Sequence, residues 1–247
     1  RILGVDVEHF APPHLTAMAI TVIAAVAAAL LPRRIPMLRH DAVPLIGALI
    51  LGGTWLWVQI DDIADGFVAS KDLPLQLSDW AVVVTVVALV TRRPFAVEMA
   101  WFWGLAGAIW AVLTPDTSRG FETINTWFFF IAHSGVIVAA CYLVFGLRIT
   151  PRPGSAWRAA AFSVVVFLVA ATADILTGAN YMFLREPPAR GSLLDFMGPW
   201  PWYLGTAAAM AIVVLIALEA PFRRSVRACL RPRLHTRESR ESPRTSS

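Results

Sequence analysis

Seven stretches of the chain run with almost no charge: Leu15 to Leu31, Val43 to Ile60, Leu73 to Val90, Phe95 to Leu113, Thr126 to Leu147, Ala159 to Thr177 and Trp200 to Leu218. A membrane-crossing helix needs roughly 20 predominantly apolar residues, and a helix is the one open-chain form that satisfies its own backbone hydrogen bonds in lipid. The pattern therefore predicts an all-α polytopic membrane protein, a bundle of seven transmembrane helices within residues 1–219. Residues 220–247 are rich in Arg, Ser and Glu and are expected to form a disordered tail. The connecting segments are short, so any chemistry belongs to side chains inside the bundle or on its loops.

Charge adds a direction. Arg33, Arg34 and Arg39 follow the first span, Arg92 and Arg93 the third, Arg148, Arg152 and Arg158 the fifth, and eight arginines run from Arg223 to Arg244 after the seventh. The opposite set holds Arg1, Lys71, Arg119, Arg185 and Arg190, with Asp61, Asp62, Asp65, Asp72, Asp116 and Glu122 among them. The positive-inside rule then puts the N-terminus outside and the tail in the cytoplasm, in what is expected to be a bacterial plasma (inner) membrane.

Composition agrees, at 57% hydrophobic and 15% charged residues with a mean hydropathy of +0.62. The net charge of +4 follows the loops rather than a soluble face, so nucleic acid is not an expected partner. Cys141 and Cys229 make neither a disulfide framework nor a CxxC motif. No Walker A loop, dinucleotide fingerprint, HExxH or paired-histidine haem spacing occurs, so no metal or cofactor is expected. An internal repeat of the kind found in many secondary transporters is also missing.

Against this apolar background four ionisable side chains fall within spans: Asp79, Glu98, His133 and Asp174. Such groups cost about 2.5 to 3.5 kcal/mol each on insertion scales, which makes them functional candidates. At 1.5 Å of rise per residue, Ser78 lies about 7 Å, His133 about 10 Å and Asp174 about 5 Å inward from the outer ends of their spans. A hydroxyl, an imidazole and a carboxylate at similar depth are the residue types of a Ser-His-Asp acyl-transfer site. Asp79 is the alternative carboxylate. Asn180 and Tyr181, just beyond the sixth span, are expected to contact a polar headgroup or an oxyanion, with Gln76 a further substrate contact. The plain readings stand beside these: a serine bonded to its own helix, a histidine tying two helices together, an interfacial Asp174, and Glu98 paired with Arg92 or Arg93 near the inner end. The glycines of WGLAGA (103–108) read as close helix packing, and Trp200 and Trp202 as interfacial anchors.

Four segments taken together carry a resemblance: LPLQLSDW (73–80), FWGLAGAIWAVLTPD (102–116), FFFIAHSG (128–135) and GANYMFLREPP with SLLDFMGPWPWY (178–188 and 192–203). In that order they resemble the bacterial YwaF-like integral membrane proteins, related to the eukaryotic TMEM164 family. The resemblance implies a seven-helix fold and an acyltransferase that moves a fatty acyl group between phospholipids with an intramembrane cysteine nucleophile and a histidine. On this chain the cysteine position falls on Ser78 and the histidine on His133. The expected catalytic set is thus Ser78 and His133 with Asp174 or Asp79, and the expected partners are membrane lipids, an acyl donor and a lipid acceptor. The serine departs from the family pattern, because a thiol ionises far more readily than a hydroxyl. A catalytically inactive lipid-binding member is therefore one alternative. A transporter or receptor-like protein that binds a small polar ligand or ion through Asp79, His133 and Asp174 is the other.

Overall fold

The computed structural model describes the main chain of residues 10–115, 120–188 and 193–238. Arg1, His9, Asp116, Arg119, Arg190 and the tail residues 239–247 lie outside the described residues. Seven helices follow one another: α1 (Pro12–Arg34), α2 (Ala42–Ala64), α3 (Leu77–Thr91), α4 (Pro94–Leu113), α5 (Ile124–Gly146), α6 (Ser155–Thr177) and α7 (Trp202–Glu238). No strand occurs among the described residues. Six of the helices are long and apolar enough to cross a membrane, and α3, at 15 residues, is the shorter seventh. The protein is a multi-pass membrane protein by length and composition.

Local chemistry sets the boundaries. Proline at the first or second position opens α1 and α4, where its missing N–H costs nothing. Gly154 and Gly178, at φ of 78° and 74°, bracket α6 in the left-handed region that glycine enters without a Cβ penalty. The third span begins four residues later than its apolar run, at Leu77 rather than Leu73. A capping box fixes the start there: Asp79 Oδ2 accepts from the Gln76 N–H at 3.0 Å while the Gln76 side chain accepts from the Asp79 N–H. The seventh helix does not end near Leu218. Its main chain runs on through Pro221 to Glu238, into the segment read from composition as a disordered tail.

Helix α5 sits at the centre and touches α1, α2, α3 and α4. The best buried element is α4, whose residues Ala96 to Trp103 are all buried. Met99, Ala100 and Phe102 meet Ala88 of α3 and Ala140 and Leu143 of α5 in the core. By contrast α1, α2, α6 and α7 leave large apolar side chains uncovered, with Ile23 at 68%, Leu49 at 75%, Leu168 at 63% and Val213 at 65% exposure. Unpartnered apolar surface on this scale is the face a helix turns to lipid.

Two turns of π-helix interrupt the pattern, at Gly104–Ala108 in α4 and Tyr142–Gly146 at the end of α5. The WGLAGA glycines thus serve both packing and a local widening of the helix. A Cβ on Gly104 would lie 3.0 Å from Val136 Cγ1 of α5. At Gly146 the approach is closer, because a Cβ would stand 2.6 Å from the main-chain oxygen of Ala28 in α1. A carbonyl inside a helix cannot swing aside, so Gly146→Ala is expected to destabilise the bundle by about 1–3 kcal/mol. The midpoint of thermal unfolding in detergent measures this; an unchanged midpoint would mean that α1 and α5 are not packed as described.

At the arginine-rich end, Glu98 is almost fully buried, at 1% exposure, and holds two guanidinium groups. Arg152 Nε and Arg158 Nη2 both lie 2.8 Å from Glu98 Oε1, Arg158 Nε lies 3.0 Å from Oε2, and the Arg152 N–H donates to Oε1 at 3.1 Å. The partners are therefore these two arginines rather than Arg92 or Arg93. Arg92 instead ends α3 in a left-handed conformation and pairs with Asp41 at 2.6 Å.

Candidate functional site

Side chains of α3, α4, α5 and α6 line a cavity of about 550 Å³ towards the end opposite the arginines. Its walls are mainly apolar, and two side chains with acyl-transfer chemistry line it: Ser78, from the first turn of α3, and His133, from α5. Gln76 lines it too, and Met182 and Phe183 close over it from the loop after α6. Residues 73–76 are non-helical at membrane depth, a form of backbone tolerated where it is buried or borders a cavity.

His133 is oriented by main chain. Its Nδ1 lies 2.8 Å from the Phe129 carbonyl, one helical turn earlier, and the Phe129 ring lies against the imidazole with 4.2 Å between centroids. A carbonyl only accepts, so in the neutral ring Nδ1 carries the proton and Nε2 keeps its lone pair. No hydrogen bond joins Ser78 to His133 among the described residues.

Neither carboxylate takes the place expected beside the imidazole. Asp79 is spent on the capping box and on Trp55, whose Nε1 donates to Oδ1 at 3.2 Å. The i to i+1 step of the helix turns it away from the Ser78 direction by about 100°. Asp174, buried at the end of α6, accepts the Tyr181 N–H at 2.7 Å, while its Oδ2 is buried without a partner among the described residues. It borders a separate outer pocket with Leu184 and Arg185. Orientation of His133 therefore falls to the Phe129 carbonyl. The helix provides that acceptor locally, whereas a carboxylate would have to come from a neighbouring element.

The expected headgroup contacts also serve the fold. Asn180 Oδ1 accepts from the Arg185 N–H at 2.9 Å and its Nδ2 donates to the Glu186 carbonyl at 2.9 Å, which closes its own loop. The Tyr181 hydroxyl donates to the Ala69 carbonyl at 2.8 Å and accepts from the Leu73 N–H at 2.9 Å. Gln76 Oε1 accepts from the Met182 N–H at 3.0 Å. Together these bonds strap the 181–183 turn across α3 and α6. Met182 and Phe183 sit at φ of 54° and 56°, a left-handed conformation that non-glycine residues hold only when surroundings impose it. Tyr203 of α7 adds to this by donating its hydroxyl to the Phe183 carbonyl.

Three features went unread in the sequence. His14, placed at a span end, is fully buried, accepts the Phe10 N–H on Nδ1 at 3.0 Å and donates from Nε2 to the Val112 carbonyl at 2.7 Å. The Met182–Phe183 lid carries no sequence signal, because neither residue type favours a positive φ. The Phe129 carbonyl could have been found, since any histidine within a helix has the carbonyl four residues back within reach.

A model of the TMEM164 family matches residues 9–218. The chain belongs to the TMEM164 family. A protein of Treponema pallidum (strain Nichols), described as uncharacterized, is 25% identical over 222 residues, covering 88% of this chain and 90% of that protein. No solved structure matches. The family match takes in all seven spans and the cavity they enclose.

Proposed function

We propose that this TMEM164 family member is an intramembrane lipid acyltransferase of the bacterial plasma membrane, with Ser78 as nucleophile and His133 as general base. The observation that carries the reading is that a hydroxyl and an imidazole, chosen for chemistry and depth alone, border one mainly apolar cavity between touching helices. An acyl chain fits such walls, and its ester would lie among the few polar groups.

Ser78 Oγ attacks the acyl carbonyl carbon while its proton passes to His133 Nε2, the nitrogen left open by the Phe129 carbonyl. The first N–H groups of a helix have no acceptor within it, and those of Leu77 and Ser78 open α3 beside the nucleophile, so they can stabilise the oxyanion. The tetrahedral intermediate then collapses. The C–O bond to the donor breaks, and His133 returns its proton to the leaving alkoxide. A lipid hydroxyl, deprotonated by His133 in turn, attacks the acyl-serine and regenerates Ser78. The Ser78–His133 contact is expected to tighten when the substrate enters. A transporter has less support at Asp79, because both of its carboxylate oxygens are engaged, one by the Gln76 N–H and one by Trp55.

The Ser78→Cys variant tests the nucleophile. In proteoliposomes with a chain-labelled phospholipid it is expected to retain transfer and to accumulate a hydroxylamine-sensitive thioester, while Ser78→Ala loses both. A Ser78→Cys protein that folds yet never acquires the acyl label would leave a lipid-binding member without turnover.

A further inference from the structure

A second cavity, of about 340 Å³, lies on another face of α5, towards the arginine-rich end, and its lining is almost wholly apolar. Leu31 and Pro32 at the end of α1, Gly47 and Leu51 of α2, and Gly135 and Ala139 of α5 form its walls. His133 and Val136 face the first cavity whereas Gly135 and Ala139 face this one, so α5 separates the two. Around the groove, Leu30, Ile46 and Ile50 are at least half exposed, which makes its surroundings a lipid-facing surface.

The inner rim of the groove is cationic. The 3₁₀ turn Pro36–Arg39 joins α1 to α2 there, held by the Tyr142 hydroxyl donating to the Leu38 carbonyl at 2.8 Å. Arg39 Nε donates to the carbonyl of Pro32, a wall residue, at 2.5 Å, which puts its guanidinium at the mouth. Arg33 spends one donor on the Phe145 carbonyl, and Arg34 has no hydrogen-bond or ion-pair partner among the described residues. The single carboxylate of segment 31–44, Asp41, is occupied by Arg92. Arg33 is turned to Phe145, away from the walls, so two exposed guanidinium groups, of Arg34 and Arg39, stand without an ion-pair partner on the segment that continues from wall residues Leu31 and Pro32.

We propose that this groove is a lipid site distinct from the Ser78/His133 cavity, holding one acyl chain of an anionic phospholipid whose phosphate is bound by Arg34 and Arg39. The chain covers the apolar walls, and the phosphate supplies the charge that the rim lacks. Arginine donors suit phosphate oxygens better than an ammonium point charge would, because the guanidinium can engage two oxygens at once. The site does not depend on the proposed acyl transfer, and neither result bears on the other.

The test uses the full chain in nanodiscs, with phosphatidylglycerol and phosphatidylcholine that carry the same diazirine-bearing acyl chain. After photolysis and peptide mapping, phosphatidylglycerol is expected to label the walls, within 27–31, 47–51 and 138–142, well above phosphatidylcholine. Gly47→Leu should suppress that labelling, with the thermal midpoint read beside it to show that the variant is folded; a Cβ there would lie 3.5 Å from Leu89 Cδ1, an ordinary contact. Arg34→Gln with Arg39→Gln should weaken phosphatidylglycerol labelling by about 25-fold, taking each arginine's attraction to an anionic lipid at about fivefold. Equal labelling by the two lipids, labelling mapped elsewhere, or cross-links between two copies at these walls would each overturn the proposal. The wild-type comparison of the two lipids decides even where a variant fails to fold.

Discussion

The His133→Ala variant is expected to transfer acyl chains about 10²–10⁴-fold more slowly than the wild type, the range associated with a positioned general base. The loss should appear in turnover more than in binding, because His133 is one lining residue among many and the walls that would hold the chain are mostly apolar side chains. A purely structural histidine predicts something different. His133 makes its one side-chain hydrogen bond to a carbonyl of its own helix, so removing it breaks no tie between helices, and the unfolding midpoint should move little. Labelled-chain transfer in proteoliposomes, read beside the thermal midpoint in detergent, separates the two roles. Full activity in His133→Ala would end the Ser-His mechanism whatever happens at Ser78.

The Glu98→Ala variant should show the largest effect on stability. Removing one partner of a buried ion pair costs roughly 3–5 kcal/mol when the remaining charge stays buried. Here the arginines are half to one-third exposed, at 51% and 36%, and can rehydrate, so the expected loss is about 3 kcal/mol. Part of it comes from freeing the loop between α5 and α6, whose Arg152 N–H and guanidinium both rest on Glu98. Glu98→Gln keeps the volume and should lose somewhat less, which isolates the charge. Equilibrium unfolding in mixed micelles measures both variants. Since the cluster lies at the end opposite the cavity, turnover per folded molecule should stay near the wild-type value; a selective loss of turnover would mean that the cluster acts on the site.

Helix existence was legible because the solvent dictates it: an uncharged run in lipid has to close its own hydrogen bonds, so charge alone marks seven helices. Boundaries were legible only where a strong local signal stands at the edge, such as Pro94 or Gly178. The third span misled because apolar residues continue through Leu73 and Leu75, although the Gln76–Asp79 capping box starts the helix at Leu77. That shift changes what Ser78 is, from a residue within a helix to one in its first turn, where unpaired N–H groups lie beside it.

The site was legible as chemistry and not as geometry. Depth along each helix follows from counting residues, so Ser78 and His133 could be paired before any helix was placed. Rotation about each helix axis, and which helix touches which, depend on packing among faces that are apolar all round and carry little sequence contrast. Asp174 matches the pair in depth yet faces the Tyr181 loop. Its partner is set by a turn whose φ values its residue types do not announce. By itself the sequence determined the membrane character and the seven helices, and it singled out the two polar groups of the candidate site, because lipid makes every exception to apolarity conspicuous. Only the tertiary structure decided that Asp79 caps its helix and bonds Trp55, that Asp174 accepts from the Tyr181 loop, and that a second, apolar groove lies on another face of α5. Those facts depend on the azimuth of each helix, which side-chain packing settles and periodicity in an all-apolar helix does not record.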